Sequence, residues 1–460
     1  MKRTIAILLV AIMAAGSVFA AFSGSAQIGV GANFDNGNYG FIDNSNSVGV
    51  NFELANMAGE AVGEGDIRAS IKGSLVLEVF TADDYEKSAD GKLPVPAPNA
   101  IIVGDWGDNM FIGLGASVDE AKIEGSNWYI SLLGVPGGPD FAKSAIDTYD
   151  KAVKKYDIVT DEDGATGNAS WSVPYVKAPG VEFGVADYVV GAGFWADAQS
   201  NPDLDLFNQY AATAYFMTPS YDLNGLTLQA GAVYSLSSGD SDKSFSDKND
   251  NKAYNSIGAS AKVGFTNDAF AVSAATDIGY DIENEEFGAD VAANFTYDFL
   301  TVDGYYGTNS KVKDDGSKVK NLLSAQVITD LNAMDMPIKV TASAKDLINA
   351  QDFDLSVEFK VGAFTLTPSV GYVINTEKFN AGLKGQYDHE YFTAKASVSV
   401  ETGFDKPSTK LKASASVENT TIIPGSTIKL EWKDAEDLLN NSADHEKNFG
   451  KLIASIKVEF

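Results

Sequence analysis

The stretch Phe392–Val400 reads FTAKASVSV and alternates apolar with polar side chains along its whole length. Because successive side chains of a β-strand point to opposite faces, this pattern predicts a strand with one apolar and one polar face. The same alternation recurs in Phe353–Val361, Leu411–Val417 and Leu452–Phe460. Across the four segments one face carries no charged residue and the other carries seven, so one face should meet hydrocarbon or a protein core and the other water.

A soluble β-sandwich shares this alternation, so strand length, strand number and the connections must distinguish the two architectures. Many runs reach about nine or ten residues, the length that crosses a bilayer at a tilt, and roughly 20 to 23 candidate strands can be counted. Short and long connections alternate, as in up-and-down membrane barrels. The short ones include 266–269, 297–298, 362–363 and 388–390, and the long polar ones include 237–253, 307–320 and 433–450.

Aromatic side chains gather beside the short turns. Phe265 and Phe270 flank one turn, and Phe359 and Phe364 flank another. Rings at strand ends, with alanine and valine in mid-strand, are typical of the aromatic girdle of a membrane barrel, whereas a sandwich core would place large side chains at mid-strand. We therefore predict an all-β fold: a single closed antiparallel up-and-down transmembrane β-barrel of about 18–22 strands, with one short helix in a long loop. A soluble all-β protein is the alternative.

The first twenty residues carry the features of a secretory signal peptide. Lys2-Arg3 is a basic start, Ile5–Ala15 is an uncharged apolar stretch of 11 residues, and Val18-Phe19-Ala20 precedes a cut before Ala21. The apolar stretch is too short to span a membrane, and no later segment reaches about 18 uncharged apolar residues. The sequence therefore predicts a cleaved signal peptide over residues 1–20, an outer-membrane β-barrel over residues 21–460, and no transmembrane helix.

The composition disfavours several classes of function. The chain has 34 Lys and Arg against 63 Asp and Glu, a net charge of −29, and no broad basic patch that would bind nucleic acid. The absence of cysteine excludes disulfides and thiolate metal sites, and two histidines leave little room for imidazole chemistry. We expect no catalytic residues, no cofactor, no metal site and no nucleic-acid partner, and we expect that the protein is not an enzyme.

The C-terminal residues Ala454–Phe460 read ASIKVEF, an alternating strand that ends on an aromatic residue. This terminus resembles the closing strand of outer-membrane barrels of diderm bacteria, and the resemblance implies that Phe460 is an assembly signal read by the barrel-assembly machinery. With the signal peptide and the lack of cysteine, residues 21–460 resemble an outer-membrane porin. The Gly/Ala-rich strands and acidic loops are loosely similar to spirochaete (treponemal) major outer-sheath proteins. The resemblance implies export through the periplasm to an outer membrane and contact with its lipid.

A barrel of this size should enclose water. Around 16 to 18 strands already leave an aqueous lumen, and the alternation begins at Ala26, too close to the predicted cut for a plug domain. We predict a porin for passive diffusion of small hydrophilic solutes and ions. Ten charged residues of the C-terminal half are predicted to line the lumen: Lys339, Asp354, Glu358, Lys360, Lys384, Lys395, Lys412, Lys429, Glu431 and Lys457.

One long connection, Gly134–Asp163, carries a different pattern. Within it, Phe141–Tyr156 places apolar residues such as Ala142, Ala145 and Tyr149 at helical spacing, which predicts a short amphipathic helix. We hypothesise that this helix folds against the barrel mouth or wall as a constriction; a surface helix that caps the outside is the alternative. The candidate constriction residues are Phe141, Lys143, Asp147, Asp150, Lys151, Lys154 and Lys155.

Ion selectivity is predicted from a run of acids. The segment Asp268–Asp298 holds eight carboxylates and no Lys or Arg. If these acids formed one mouth, they would enrich cations within a Debye length of about 8 Å. The expectation is a weak preference for cations.

Two other functions remain open at this level. A surface barrel could bind host or matrix protein through long loops such as Thr81–Asn99 and Ser237–Ala253. A barrel hydrolase would need a histidine beside a nucleophile, for which His389 is the candidate. A homo-oligomer is also possible.

Overall fold

The structure is a computed structural model that describes residues 20–35, 37, 39–41, 47–55, 63, 65–81, 101–105, 110–132, 138–149, 167–168, 180–197, 209–237, 254–282, 285–312, 318–348, 351–403, 409–435, 437–439 and 448–459. Its strands are numbered in chain order. Twenty-two of the described strands form the wall of a barrel: β1 (Ala20–Asn33), β3 (Ser47–Ala55), β4 (Arg68–Thr81), β6 (Met110–Glu124), β7 (Trp128–Leu132), β10 (Gly180–Val185), β11 (Tyr188–Asp197), β12 (Gln209–Met217), β14 (Leu226–Ser237), β15 (Tyr254–Thr266), β16 (Phe270–Asp281), β17 (Glu286–Tyr297), β18 (Leu300–Val312), β19 (Lys318–Asp330), β20 (Ile338–Asp346), β21 (Asp352–Val361), β22 (Phe364–Val373), β23 (Lys378–Asp388), β24 (Thr393–Gly403), β25 (Lys410–Asn419), β26 (Ser426–Ala435) and β27 (Lys451–Glu459). Five short strands are β2 (Tyr39–Phe41), β5 (Ile101–Asp105), β8 (Asp147–Tyr149), β9 (Gly167–Asn168) and β13 (Tyr221–Leu223).

The sheet closes on itself through its first and last strands. β1 pairs with β27 in an antiparallel register that runs from Ser25 opposite Glu459 to Asn33 opposite Lys451. Each wall strand also pairs antiparallel with the wall strand that follows it in the chain. Closure joins the first and last of the described wall strands, which would otherwise be the two open edges of the sheet, and such closure is the condition for spanning a bilayer with strands. The predicted closed antiparallel up-and-down barrel is confirmed, with a strand number at the upper end of the predicted range.

The two ends of the barrel differ in their connections. One end, called the turn end, holds short connections such as 298–299 and 362–363 together with the outer ends of β1 and β27. The other end, called the loop end, holds the long connections, including 133–179 and 238–253. The predicted short turns all lie at the turn end. The predicted loop 307–320 is too long. Lys311 pairs with Val319, so β18 and β19 extend further than predicted and only residues 313–317 connect them.

Backbone conformation at the turn between β13 and β14 follows directly from the sequence. Asn224 and Gly225 both have positive φ, 56° and 89°, which suits the tight hairpin turn that Asn-Gly favours. The N–H of Gly225 donates to the Asp222 carboxylate at 2.9 Å. This pair therefore fixes the register in which Leu223 lies opposite Leu226.

The wall has two chemically distinct faces. On β16, Ile278 and Tyr280 are 43% and 40% exposed, whereas Asp277 and Asp281 on the opposite face are 1% and 2% exposed. We call the face that carries Asp277 and Asp281 the polar face and the opposite one the apolar face. Aromatic rings of the apolar face contact one another at the turn end. Ring centroids lie 5.7 Å apart for Phe265 and Phe270, 6.2 Å for Phe270 and Phe295, and 4.5 Å for Phe364 and Tyr387.

The predicted helix Phe141–Tyr156 is wrong over its described part, Phe141–Tyr149, which is extended and ends in the short strand β8. Ala142, Ser144 and Ile146 are buried, with Lys143 and Ala145 exposed between them, so the period is two. The backbone N–H groups of Phe141 and Ala142 donate to the Asp277 carboxylate and not to carbonyls of a helical turn. Residues 150–156 lie outside the described part. No helix in the described ranges is both long enough and apolar enough to cross a membrane.

Candidate functional site

The ten charged residues that the sequence places together lie on the polar face. Residues directly opposite each other in an antiparallel pair project to the same side of the sheet. Asp277 lies opposite Asp290 of β17, and Asn294, on the same face of β17, lies opposite Asp303. The polar face continues from Asp303 to Gln326 and onward by such pairs. The ten residues belong to it on β20 to β27: Lys339, Asp354, Glu358, Lys360, Lys384, Lys395, Lys412, Lys429, Glu431 and Lys457.

Some of these charges are neutralised by neighbours. Lys360 lies 3.3 Å from Glu358, and Lys429 also forms an ion pair with Glu431. Lys345 pairs with Asp354 at 2.7 Å, and Lys457 pairs with Glu459 at 2.6 Å. Within the described ranges, four lysines of the set have no carboxylate within ion-pair distance: Lys339, Lys384, Lys395 and Lys412.

A second charged cluster on the polar face was missed at the sequence level. Arg68 on β4 forms ion pairs with Glu53 of β3 and, at 3.6 Å, with Glu124 of β6. Four residues further along β4, Lys72 pairs with Glu120 at 2.9 Å. The available signal was the placement of charges on one strand face, at the first and fifth positions of RASIK and at every second position of EAKIE. Because each base has an acidic neighbour, this cluster ties β3, β4 and β6 together.

Beyond this cluster, the polar face carries two tyrosines, one on β7 and one on β12. The hydroxyls of Tyr129 and Tyr215 both donate to the Glu182 carboxylate, Tyr129 at 2.6 Å. A Cβ at Gly184 would overlap the ring of Tyr129, and one at Gly191 would overlap the ring of Tyr215. These glycines therefore let the two rings lie flat on the polar face.

Part of the long connection between β7 and β10 lies across the polar face. A Cβ at Gly231 of β14 would lie 2.5 Å from Cβ of Pro139, and Ser260 of β15 donates to the Pro139 carbonyl at 3.3 Å. The N–H of Ala142 donates to Asp277 of β16 at 2.7 Å. We call residues 139–146 the wall segment, since they cover the polar face from β14 towards β19.

The far end of the wall segment is held by serine hydroxyls. The Ser144 and Ser324 hydroxyls lie 3.4 Å apart, and the Ser144 hydroxyl also contacts the N–H and C=O of Ile146 at 3.1 Å each. Ser144 and Ser324 are at most 1% exposed. The segment is thus anchored at both ends to side chains of the wall.

The wall beneath the segment is itself hydrogen-bonded. Tyr305 donates to Asp290 at 3.0 Å, and Asp303 accepts from Asn294 at 2.7 Å and from Gln326 at 3.3 Å. Asp290 and Tyr305 are 0% and 2% exposed. Burial of these carboxylates is compatible with folding because each has a donor close by.

The candidate constriction residues have different positions. Phe141 is half-buried against the wall, and Lys143 projects away from it with its ammonium 3.5 Å from the Asp140 carboxylate. Asp147 belongs to β8, where it pairs with Asn168 of β9. The remaining four, Asp150, Lys151, Lys154 and Lys155, lie outside the described part.

The acidic run Asp268–Asp298 does not gather at one mouth. Asp268 and Asp298 lie in turns at the turn end, whereas Glu285 and Glu286 lie at the loop end. Asp277 and Asp290 are buried on the polar face between the two ends, and the buried Asp281 lies opposite Glu286 at the loop end. The acids are separated because β16 and β17 have twelve residues each and extend from one end of the barrel to the other. The single acidic mouth on which the expected cation preference depended is therefore absent from the described residues.

His389 lies in the turn between β23 and β24, away from the serines of β24. Its ring packs against Phe392 and Tyr391, with centroids 5.1 Å and 5.4 Å away. Its Nδ1 accepts from the Tyr391 N–H at 3.3 Å. These contacts place the histidine in the aromatic cluster of the turn end. Phe460, the predicted assembly signal, lies outside the described part.

No family model matches the chain, and no curated protein matches it. Three solved structures that match over most of their length are the P pilus usher (PapC) translocation pore, a mutant of the Rh. blastica porin, and a mutant of the ferric enterobactin receptor PfeA from Pseudomonas aeruginosa. The identities are 10%, 14% and 8%, and the TM-scores are 0.41, 0.31 and 0.44. The matches cover 95%, 96% and 95% of this chain and 99%, 100% and 80% of the other chains. Because these similarities are so distant, the function must be inferred from the geometry of the chain itself.

Proposed function

We propose that this chain is an outer-membrane porin whose polar face encloses a water-filled channel for passive diffusion of small hydrophilic solutes and ions. The observation that carries the proposal is the closure of a sheet with chemically distinct faces through the pairing of β1 with β27. A closed sheet of 22 strands is wider than its side chains can fill, so its interior holds water.

The apolar face supports a membrane location. It exposes large side chains such as Phe194, Phe287 and Leu430, which are 56%, 58% and 49% exposed. A continuous apolar surface of this kind exceeds what a soluble monomer leaves in water, whereas a bilayer solvates it. Most wall strands have nine or more residues, enough to cross the hydrocarbon at a tilt.

Within the proposed channel the wall segment narrows the lumen. It occupies the polar face along β14 to β19, and Lys143 and Ala145 point away from the wall into the remaining space. Solutes would therefore pass between this segment and the strands on the other side of the barrel. The proposed channel passes its solutes chemically unchanged.

The route to the membrane and the partners are part of the same proposal. A signal peptide at residues 1–20 would direct export to the periplasm, and Phe460 would present the last strand to the barrel-assembly machinery. The proposed partners are outer-membrane lipid, permeating solutes and, in a homo-oligomer, further copies of the chain.

Purified full-length protein in a planar lipid bilayer tests the channel. We expect discrete steps of conductance, because each inserted barrel adds one aqueous path. Liposomes that contain the protein should also swell in small sugars and resist larger ones. Protein that stays soluble without detergent and adds no conductance would contradict the proposal.

Binding of host or matrix protein stays a separate prediction. The connections that would carry it, residues 82–100 and 238–253, lie outside the described part. Loop-deleted protein that conducts normally and loses adhesion would favour this second function.

A further inference from the structure

The polar face holds a depression of about 430 Å³ between β21 and β26. Three lysines line it, Lys384 of β23, Lys395 of β24 and Lys433 of β26, together with the hydroxyls of Thr367, Ser397 and Ser414. We call this depression the lysine pocket. It lies outside the wall segment and outside the charged cluster around Arg68.

The lysine pocket has a local excess of positive charge. Its two carboxylates, Glu358 and Glu431, already form ion pairs with Lys360 and Lys429. Its three lysines have no carboxylate within ion-pair distance among the residues that the structure describes. Lys384, Lys395 and Lys433 are all exposed to solvent. The pocket therefore offers three available ammonium groups in a chain whose net charge is −29.

Strand register directs two of these lysines to the same point. Lys384 lies opposite Ser397, and Lys395 lies two residues from Ser397 on the same strand. Lys384 and Lys395 are thus diagonal neighbours, with Cα atoms about 7–8 Å apart. Side chains as long as lysine can bridge that distance through one bound anion.

Hydroxyl donors surround the same point. Thr367 lies opposite Lys384 on the other side of β23, and the Ser397 and Ser414 hydroxyls are 2.7 Å apart. Ammonium and hydroxyl donors together satisfy the several oxygens of a phosphate-like group, which accepts short, charge-assisted hydrogen bonds. A monovalent halide has neither the charge nor the number of acceptor sites to use all of them.

We propose that the lysine pocket binds a small oxyanion with two negative charges, of the phosphate type, on its way through the channel. This inference rests on the proposed function, since it requires a solvated lumen. The cluster around Arg68 does not offer the same site, because Arg68, Lys72 and the neighbouring Lys122 of β6 are paired with Glu53, Glu120 and Glu124. The repulsion from distant acids is screened beyond about 8 Å, so the three lysines dominate the local potential.

The test uses full-length protein in a planar bilayer and titrates inorganic phosphate at constant ionic strength. We expect a saturable decrease of chloride conductance in the unmodified protein. The variant Lys384→Gln/Lys395→Gln should need about a hundredfold more phosphate for the same decrease, since it removes two charged hydrogen bonds and each contributes roughly tenfold.

The matched control is Lys262→Gln/Lys457→Gln, which removes the same charge from the polar face of β15 and β27. It should leave the phosphate dependence unchanged. Equal shifts in the two double variants would overturn the proposal, because they would report the overall charge of the lumen. Absence of saturation in the unmodified protein would also overturn it.

Calorimetric titration of detergent-solubilised protein with phosphate separates this inference from the channel itself. Protein that conducts and binds no phosphate overturns the lysine pocket alone. Protein that binds phosphate in a manner sensitive to Lys384→Gln/Lys395→Gln and never conducts supports the pocket and overturns the channel. Far-ultraviolet circular dichroism of each variant confirms that the strands are retained.

Discussion

Asp277 determines the path of the wall segment. Its carboxylate accepts the N–H of Phe141 at 3.0 Å and that of Ala142 at 2.7 Å, and it is 1% exposed. Hydrogen bonds to a charged acceptor contribute about 1.5–3 kcal/mol each. Two such bonds outweigh the weak helical preference of the segment, since a short isolated helix is only marginally stable in water.

Replacing this carboxylate should release the wall segment. In Asp277→Ala the two backbone donors lose their acceptor, so we expect a larger and noisier single-channel conductance. Asp268→Ala is the matched control, because it removes the same charge from an exposed turn. Conductance of Asp277→Ala that equals that of Asp268→Ala would show that the segment does not narrow the channel.

For the lysines of the polar face, the sequence predicts the strand face on which each lies but not its ion-pair partner. Alternation was sufficient to group Lys384, Lys395 and Lys412 on one face. It did not reveal that Lys360 and Lys429 neutralise Glu358 and Glu431 whereas those three lysines stay unpaired among the described residues. Side-chain partners depend on the stagger between strands, which alternation leaves undefined.

At the scale of the element, each wall strand carries its own division between an apolar and a polar face. On β25, Ala415 lies on the exposed apolar face, and Ser416 lies on the polar face opposite Glu431. This division was predicted correctly from a period of two, because the period follows from strand geometry alone.

Two neighbouring substitutions test that division. Ala415→Arg should cost about 2–4 kcal/mol of unfolding free energy in a bilayer, since it places a charge in hydrocarbon. Ser416→Arg should cost much less, because the new guanidinium meets water and Glu431. Urea unfolding in lipid vesicles measures both, and equal losses of stability would mean that the faces are assigned wrongly.

For the segment Phe141–Tyr149, the sequence pattern alone did not predict the correct secondary structure. Ala142, Ala145 and Tyr149 fit a helical period, whereas Ala142, Ser144 and Ile146 fit a period of two. The second pattern prevails because the polar face supplies partners such as Asp277 and Ser324. No local feature of the segment identifies these partners.

At the scale of the whole molecule, closure joins the two ends of the chain. Gln27 of β1 lies directly opposite Lys457 of β27. Opposite residues of an antiparallel pair have Cα atoms about 4.5–5.5 Å apart, a distance that a disulfide can bridge. Because the chain has no cysteine, a disulfide between two engineered cysteines can be detected without interference from native thiols.

Gln27→Cys/Lys457→Cys should therefore form a disulfide on mild oxidation. Mass spectrometry of digested, unreduced protein would detect the joined peptides. The pair Gln27→Cys/Lys395→Cys keeps both cysteines on the polar face without placing them opposite each other, and it should stay reduced. Failure of the first pair to cross-link would contradict a closed barrel.

The sequence by itself determined what lies within one strand or one turn. Side-chain polarity at alternate positions specifies the two faces, and Asn224-Gly225 specifies a tight hairpin, because both depend only on neighbouring residues. The tertiary structure alone decided the pairing of β1 with β27, the extended path of the wall segment and the unpaired state of the pocket lysines among the described residues. These features join groups far apart in the chain, as Phe141 and Asp277 are separated by 136 residues, and no local pattern encodes such contacts.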